Sequence, residues 1–167
     1  MPQSDVVQIL LSHDKWATEQ MLDTCAALSD EQFHRRFDIG PGSLHDTLTH
    51  VVAAMRALTE SLAGIEPQPR IDTDGRRRSP GELRVLLEES WREFTAQARR
   101  RPLDEMITRR LRDGRTLTMT RAAGVVHVAT HGMHHRAQCL NMLKQLGVKP
   151  LPPSSVAEWT WLGDKQP

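Results

Sequence analysis

The chain has only two cysteines, no long apolar run and almost no bias of charge, and each absence removes a class of protein. Cys25 and Cys139 fall in separate helical patterns far apart in sequence, so no disulfide framework of the secreted kind is implied. No stretch reaches the roughly 18 apolar residues that a membrane helix needs. The opening MPQSDVVQILLSHDKW is too broken by polar residues to read as a signal peptide. A soluble, cytoplasmic protein is the expectation. Lys and Arg total 22 against 21 Asp and Glu, a formal net charge of +1, so no global field draws the chain to nucleic acid. The runs Arg76-Arg77-Arg78 and Arg99-Arg100-Arg101 adjoin predicted helix ends and read as solvated loop or face. No repeat or low-complexity segment is visible. The 167 residues suffice for one sizeable core, and a single domain over 1–167 is expected.

What is present is helical periodicity with clear punctuation. Ser4 or Asp5 can cap a first helix reaching about Leu28, with Val6, Ile9, Leu10, Trp16, Met21, Leu22, Cys25 and Leu28 as its apolar stripe. Ser29 to Gln32 starts a short further turn, and Arg35 to Gly42 reads as loop. Ser43 caps a second long helix, Leu44 to about Ala63, which Gly64 ends. Leu44, Leu48, Val51, Met55, Leu58 and Leu62 form a bundle seam along it. The segment 65–79 holds Pro67, Pro69, Gly75 and four arginines, and reads as an exposed loop. Ser79-Pro80 starts a third long helix that runs to about Arg101, before Pro102. Next, β-branched residues flank Asp113-Gly114, a strong hairpin signal. A fourth long helix ends at Gly147, and the tail is an extended crossing followed by a helical turn that packs Trp159 and Trp161 on the bundle. The fold class is all-α: a four-helix bundle with a small β-hairpin before the last long helix.

The fourth helix carries the chemistry. Thr120 to Gly147 reads TRAAGVVHVATHGMHHRAQCLNMLKQLG and holds His127, His131, His134 and His135. Helix residues turn about 100° each, so His127, His131 and His135 stack on one face. Two imidazoles at i and i+4 can converge on one divalent ion. A lone histidine there would read as a polar face or a packed core residue; the His131/His135 pair reads as metal ligands. On the second long helix His50 stands among small Thr47, Ala54, Ala57 and Ser61, which leave room beside an imidazole; His45 points to the other flank. His50, His131 and His135 would make a three-histidine site with a coordination position open to water or substrate. Zinc or nickel suits such a donor set best, and iron or manganese would also bind. Cys139, a full turn beyond His135, is a weaker candidate ligand, and His127 reads as pocket lining. Gly132 follows His131 where a metalloprotease helix carries Glu, which argues against peptide hydrolysis.

The segments LHDTLTHVVAAM and HVATHGMHHRAQ, with the opening HDKWATEQMLDTCAALSDEQFHRRF and the GPGSLHDTLTH stretch, resemble the DinB family, including its YfiT-like metal-dependent hydrolases. The resemblance covers most of the chain. It implies a four-helix bundle, often a homodimer, that binds a divalent ion through three histidines, here His50, His131 and His135. The family's common HHRGQ reads HHRAQ here, from His134 to Gln138, and the frequent Asn after the first-helix Trp is Thr18. Thiol S-transferases and a thiol-dependent maleylpyruvate isomerase are among the relatives, so the resemblance further implies that a bound metal activates a low-molecular-weight thiol. Arg136 either neutralises an anionic substrate or holds a carboxylate of the first helix.

The leading expectation is a metal-dependent thiol S-transferase or hydrolase acting on a small molecule, without nucleic-acid or membrane partners. The alternative is a non-catalytic metal- or ligand-binding stress-response protein, and a plain metal-free bundle is the third reading. Because ligation needs neutral imidazoles, metal affinity is expected to fall below about pH 6.

Overall fold

The computed structural model describes residues 5–111 and 114–163. Their elements run α1 (Val6–Ala26), α2 (Asp30–His34), α3 (Leu44–Ala63), α4 (Pro80–Arg100), β1 (Met106–Arg110), β2 (Thr116–Thr120), α5 (Arg121–Gln145) and α6 (Val156–Gly163). Helix starts are set by side chains that accept the orphan amides of the first turn. Asp5 accepts from Val7 and Gln8, Ser43 from Asp46, and Thr120 from Ala123. Ser29 with Gln32, and Ser79 with Glu82, form reciprocal capping boxes. Gly64 ends α3 in the left-handed conformation at φ +70°, which costs a residue without Cβ little. Ser4 and Asp113, named from the sequence as cap and turn residues, lie outside the described residues.

The four long helices close a bundle. α3 packs against α4 and α5, α1 packs against the same two, and α1 meets α3 only marginally across the diagonal. Leu44, Leu48, Val52, Met55, Leu58 and Leu62 of α3 are all nearly inaccessible and enter one hydrophobic cluster with Leu11, Leu83, Leu87, Phe94, Met142 and Leu143. The hairpin pairs β1 and β2 antiparallel, from Met106 opposite Thr120 to Arg110 opposite Thr116. It lies over the bundle, β1 against α3 and β2 against α5, with Ile107 buried.

Three expectations need correction. The buried stripe of α1 runs through Leu11, Asp14, Ala17, Thr18, Met21, Leu22 and Cys25, while Val6 and Ile9 are exposed. The apolar pattern misplaces the N-terminal half because Asp14 and Thr18, both polar, point inward to bind Arg136. Arg78 is buried rather than solvated: its amide donates to His45 Nε2, and its guanidinium holds Ile71 O and the Asp74 carboxylate. In the tail, Trp159 stands 6.0 Å from the His13 ring, whereas Trp161 is 63% exposed and packs little. One residue that the sequence left unremarked is Arg121, 1% exposed, which reaches the Leu62 carbonyl at 2.8 Å and the Gln97 carbonyl. It thereby ties the C-terminal ends of α3 and α4 to the start of α5.

Candidate metal centre

α5 presents His131 and His135 one turn apart, and α3 brings His50 to meet them. One ligand atom from each lies within 4.8 Å of the other two. The ring centroids are 5.0 Å apart for His50 and His131, 4.8 Å for His50 and His135, and 4.4 Å for His131 and His135. His50 Nε2 faces His131 Nε2 at 3.2 Å. A tetrahedral ion with bonds of about 2.0–2.1 Å sets its ligand atoms about 3.3 Å apart, so this pair stands at ligand spacing.

The outer nitrogens of two of these rings are engaged. Asp72 Oδ2 accepts from His50 Nδ1 at 2.8 Å. Asp72 is in turn clamped by Arg70, whose Nε and Nη2 reach its two oxygens at 2.9 and 2.8 Å. Gln138 Oε1 accepts from His135 Nδ1 at 2.8 Å, and Gln138 Nε2 donates to His134 Nε2 at 3.0 Å. A ring that donates from Nδ1 keeps the Nε2 lone pair for the interior of the cluster. The loop before α3 fixes Gln138 as well. A Cβ at Gly40 would stand 2.1 Å from Gln138 Oε1, so a side chain there would push the amide away from His135.

Burial and the neighbouring imidazoles His135, His50 and His127 drive the His131 pKa down to about 3. Burial also lowers His135, against the upward pull of Gln138. Both rings are thereby biased toward the neutral form that ligates metal, His131 the more strongly. The donor set fits a borderline divalent ion: three imidazoles, two of them oriented from behind, with no thiolate or carboxylate among the three converging groups.

The other sequence candidates stand apart from the cluster. His127 is exposed, its ring 5.4 Å from that of His131. His134 is exposed and serves Gln138. Cys139 is buried beside Cys25; burial raises both thiols, Cys25 to about 12, so neither is a ready thiolate. His45 is buried against Phe33 and His34, with Nδ1 on Asp46. Arg136 does not reach a substrate: its Nη1 binds the Asp14 carboxylate and Thr18 Oγ1, and the ion pair is almost wholly buried.

A cleft of about 800 Å³ opens at His50. Its walls are Ala57, Glu60 and Ser61 of α3, the segment 64–70, and residues 108–111 of the hairpin. The small residues expected beside His50 are thus present as Ala57 and Ser61, while Thr47 and Ala54 are buried.

Asp72 and Arg70 were invisible from the sequence. They sit in a loop with no periodicity, and no local signal pairs residue 72 with residue 50. Gln138 had a weak signal, three residues after His135 on the same helix face. Replacing Asp72 with Asn is expected to weaken zinc binding about 10–100-fold, the usual cost of losing an outer partner of a ligand histidine. Competition titration against a fluorescent chelator reads this directly, and unchanged affinity would rule out a role for Asp72 in holding His50.

The structure resembles that of a DinB-like protein from Bacillus cereus ATCC 10987, with a TM-score of 0.66 and 19% sequence identity. The match covers 86% of this chain and 92% of that one, and at this identity it speaks for the fold alone. Among curated proteins nothing matches the sequence. The family model of the DinB family matches residues 1–162. Sequence, bundle and hairpin agree, and the chain belongs to the DinB family.

Proposed function

We propose that the protein is a divalent-metal-dependent enzyme, a thiol S-transferase or hydrolase acting on a small molecule. The observation that carries the reading is the convergence of His50, His131 and His135, with His50 also lining the cleft of about 800 Å³. A divalent ion on three imidazoles keeps a position for water or thiol and brings its pKa toward neutrality. The chain's own residues do the rest. Asp72 and Gln138 hold two of the rings in one tautomer and one orientation. Arg70 holds the Asp72 carboxylate beside His50 by pairing both of its oxygens. Glu60, Glu66, Arg109 and Arg110 give the cleft wall charges of both signs, which suits a polar small molecule. Zinc and nickel are the ions this donor set favours, with iron or manganese next. A homodimer belongs to the same reading and is checked by sedimentation.

The test is to strip the full-length protein with chelator, reload it with each ion, and assay thiols paired with small electrophiles. Metal-dependent turnover that vanishes in the His50→Ala, His131→Ala, His135→Ala triple variant supports the proposal. Full metal content in that variant would contradict it. Stoichiometric metal without turnover on any pair would favour the non-catalytic, ligand-binding alternative.

Acidification gives a second check, with its sign set by the lowered values. An unfolded chain takes up protons near 6.5 that folded His131 refuses until about 3. The metal-free protein should therefore lose stability as pH falls below about 6.5, and most of this loss should be complete near 3. Urea midpoints at pH 7, 5 and 4 measure it. A His131→Gln variant should show a shallower slope, and equal slopes would show that His131 is not refusing protons. Because His131 and His135 stay neutral below 6.5, proton competition for the ion also begins lower than the sequence alone suggested.

A further inference from the structure

The hairpin leaves one backbone edge facing the cleft. Leu111 N donates to Arg115 O at 2.7 Å, and Arg121 N donates to Glu105 O at 2.8 Å. With the register of Met106 opposite Thr120, the odd-numbered residues of β1 therefore bond to β2. The amides and carbonyls of the even-numbered residues Thr108 and Arg110 point the other way. Among the described residues no hydrogen bond meets them. β1 lies over α3, and residues 108–111 form one wall of the cleft that His50 also lines. A free strand edge thus runs along the same cavity that His50, one of the three clustered histidines, lines.

Such an edge recognises one kind of chemistry: an extended chain of amides, added as a further strand. Thr108 and Arg110 are two residues apart, about 6.6 Å along the strand, enough to register two or three residues and no more. The cleft's volume fits the same size. Its charges fit a molecule with both signs, since Glu60 and Glu66 stand in the wall with Arg109 and Arg110. A purely hydrocarbon electrophile would use none of these groups. We infer that the cleft binds a short peptide-like thiol in extended form, paired with the outer edge of β1 and with its sulfur directed to the His50 end. This rests on the metal-thiol reading above for the sulfur, but not for the edge.

Two probes separate the two ideas on the zinc-loaded full-length protein. S-Methylglutathione carries amides and both charges but no free thiol, so it reports the edge. 2-Mercaptoethanol carries a thiol and a hydroxyl but no amide and no charged group, so it reports the metal. Thr108→Pro removes the outward amide while leaving the ladder to β2 intact, and Thr108→Val keeps the amide. By calorimetry, S-methylglutathione should bind wild type and Thr108→Val alike, and Thr108→Pro roughly tenfold more weakly, the worth of one hydrogen bond. 2-Mercaptoethanol should not distinguish the three. Should the proline variant fail to fold, hydrogen exchange on the wild type decides: Thr108 and Arg110 amides must slow when S-methylglutathione is added. No S-methylglutathione binding, binding unchanged by proline, or unprotected amides would overturn the inference. So would a wild-type dimer that Thr108→Pro dissociates and S-methylglutathione leaves intact, because the edge would then pair two copies. Loss of 2-mercaptoethanol binding alone would count against the metal-thiol reading and leave the edge standing.

Discussion

Replacing Arg136 with methionine is expected to cost about 3–5 kcal/mol, the usual result of leaving one member of a buried ion pair alone. Asp14 and Arg136 are 1% and 3% exposed at their side chains and meet between α1 and α5. Burial pushes the Asp14 carboxyl up, and the Arg136 guanidinium opposes that push. One oxygen, Asp14 Oδ2, is buried with no hydrogen-bond partner among the described residues, so Arg136 is the main source of compensation. Without it the carboxyl must take a proton or drag in water. For a chain of this size the cost corresponds to a fall in Tm of roughly 10 °C. Thermal unfolding followed by circular dichroism measures it. The double variant Asp14→Leu, Arg136→Met should recover most of the loss, because two apolar groups leave no charge behind. A single variant as stable as wild type would show that the pair contributes nothing.

The same pair accounts for Gly132, which from the sequence had only a negative meaning. A Cβ there would stand 2.2 Å from Asp14 Oδ1 and 2.7 Å from Arg136 Nη1. The residue that follows His131 is bare because α1 delivers a carboxylate onto that spot. This contact also fixes how α1 lies against the helix that carries two of the three histidines.

The second large effect concerns the three clustered histidines. His131→Ala is expected to weaken zinc binding by a few hundred-fold. A structural zinc site binds with about 10–16 kcal/mol spread over its ligands, so one ligand is worth about 3–4 kcal/mol. His131 is the central member, with His50 Nε2 at 3.2 Å and the His135 ring centroid at 4.4 Å. His127→Ala, one turn away and outside the cluster, should change affinity little. Calorimetric titration of chelator-stripped protein with zinc compares the two. Equal losses would mean that the helix, not the three-histidine cluster, sets the affinity.

How much of this was legible follows from where the signals lie. Helix starts and stops were readable because Ser43, Gly64, Ser79-Pro80 and Gly147 punctuate the chain locally. The His131/His135 pair was readable because one helix fixes both positions. His50 was readable from its small neighbours and from the family resemblance, although 81 residues separate it from His131. The supports were not readable. Asp72 acts from an irregular loop, Asp14 and Thr18 break the apolar stripe of α1, and Arg78 and Arg121 are buried cations that composition counts as surface. In each case a polar side chain goes inward to meet a partner that is distant in sequence, and periodicity rewards only apolar residues for pointing inward.

The most direct test is X-ray absorption at the metal edge of zinc-loaded protein. The account predicts nitrogen scatterers at about 2.0 Å with the outer-shell pattern of three imidazoles, falling to two in His50→Ala. Sulfur at about 2.3 Å, or a spectrum that His50→Ala leaves unchanged, would contradict it.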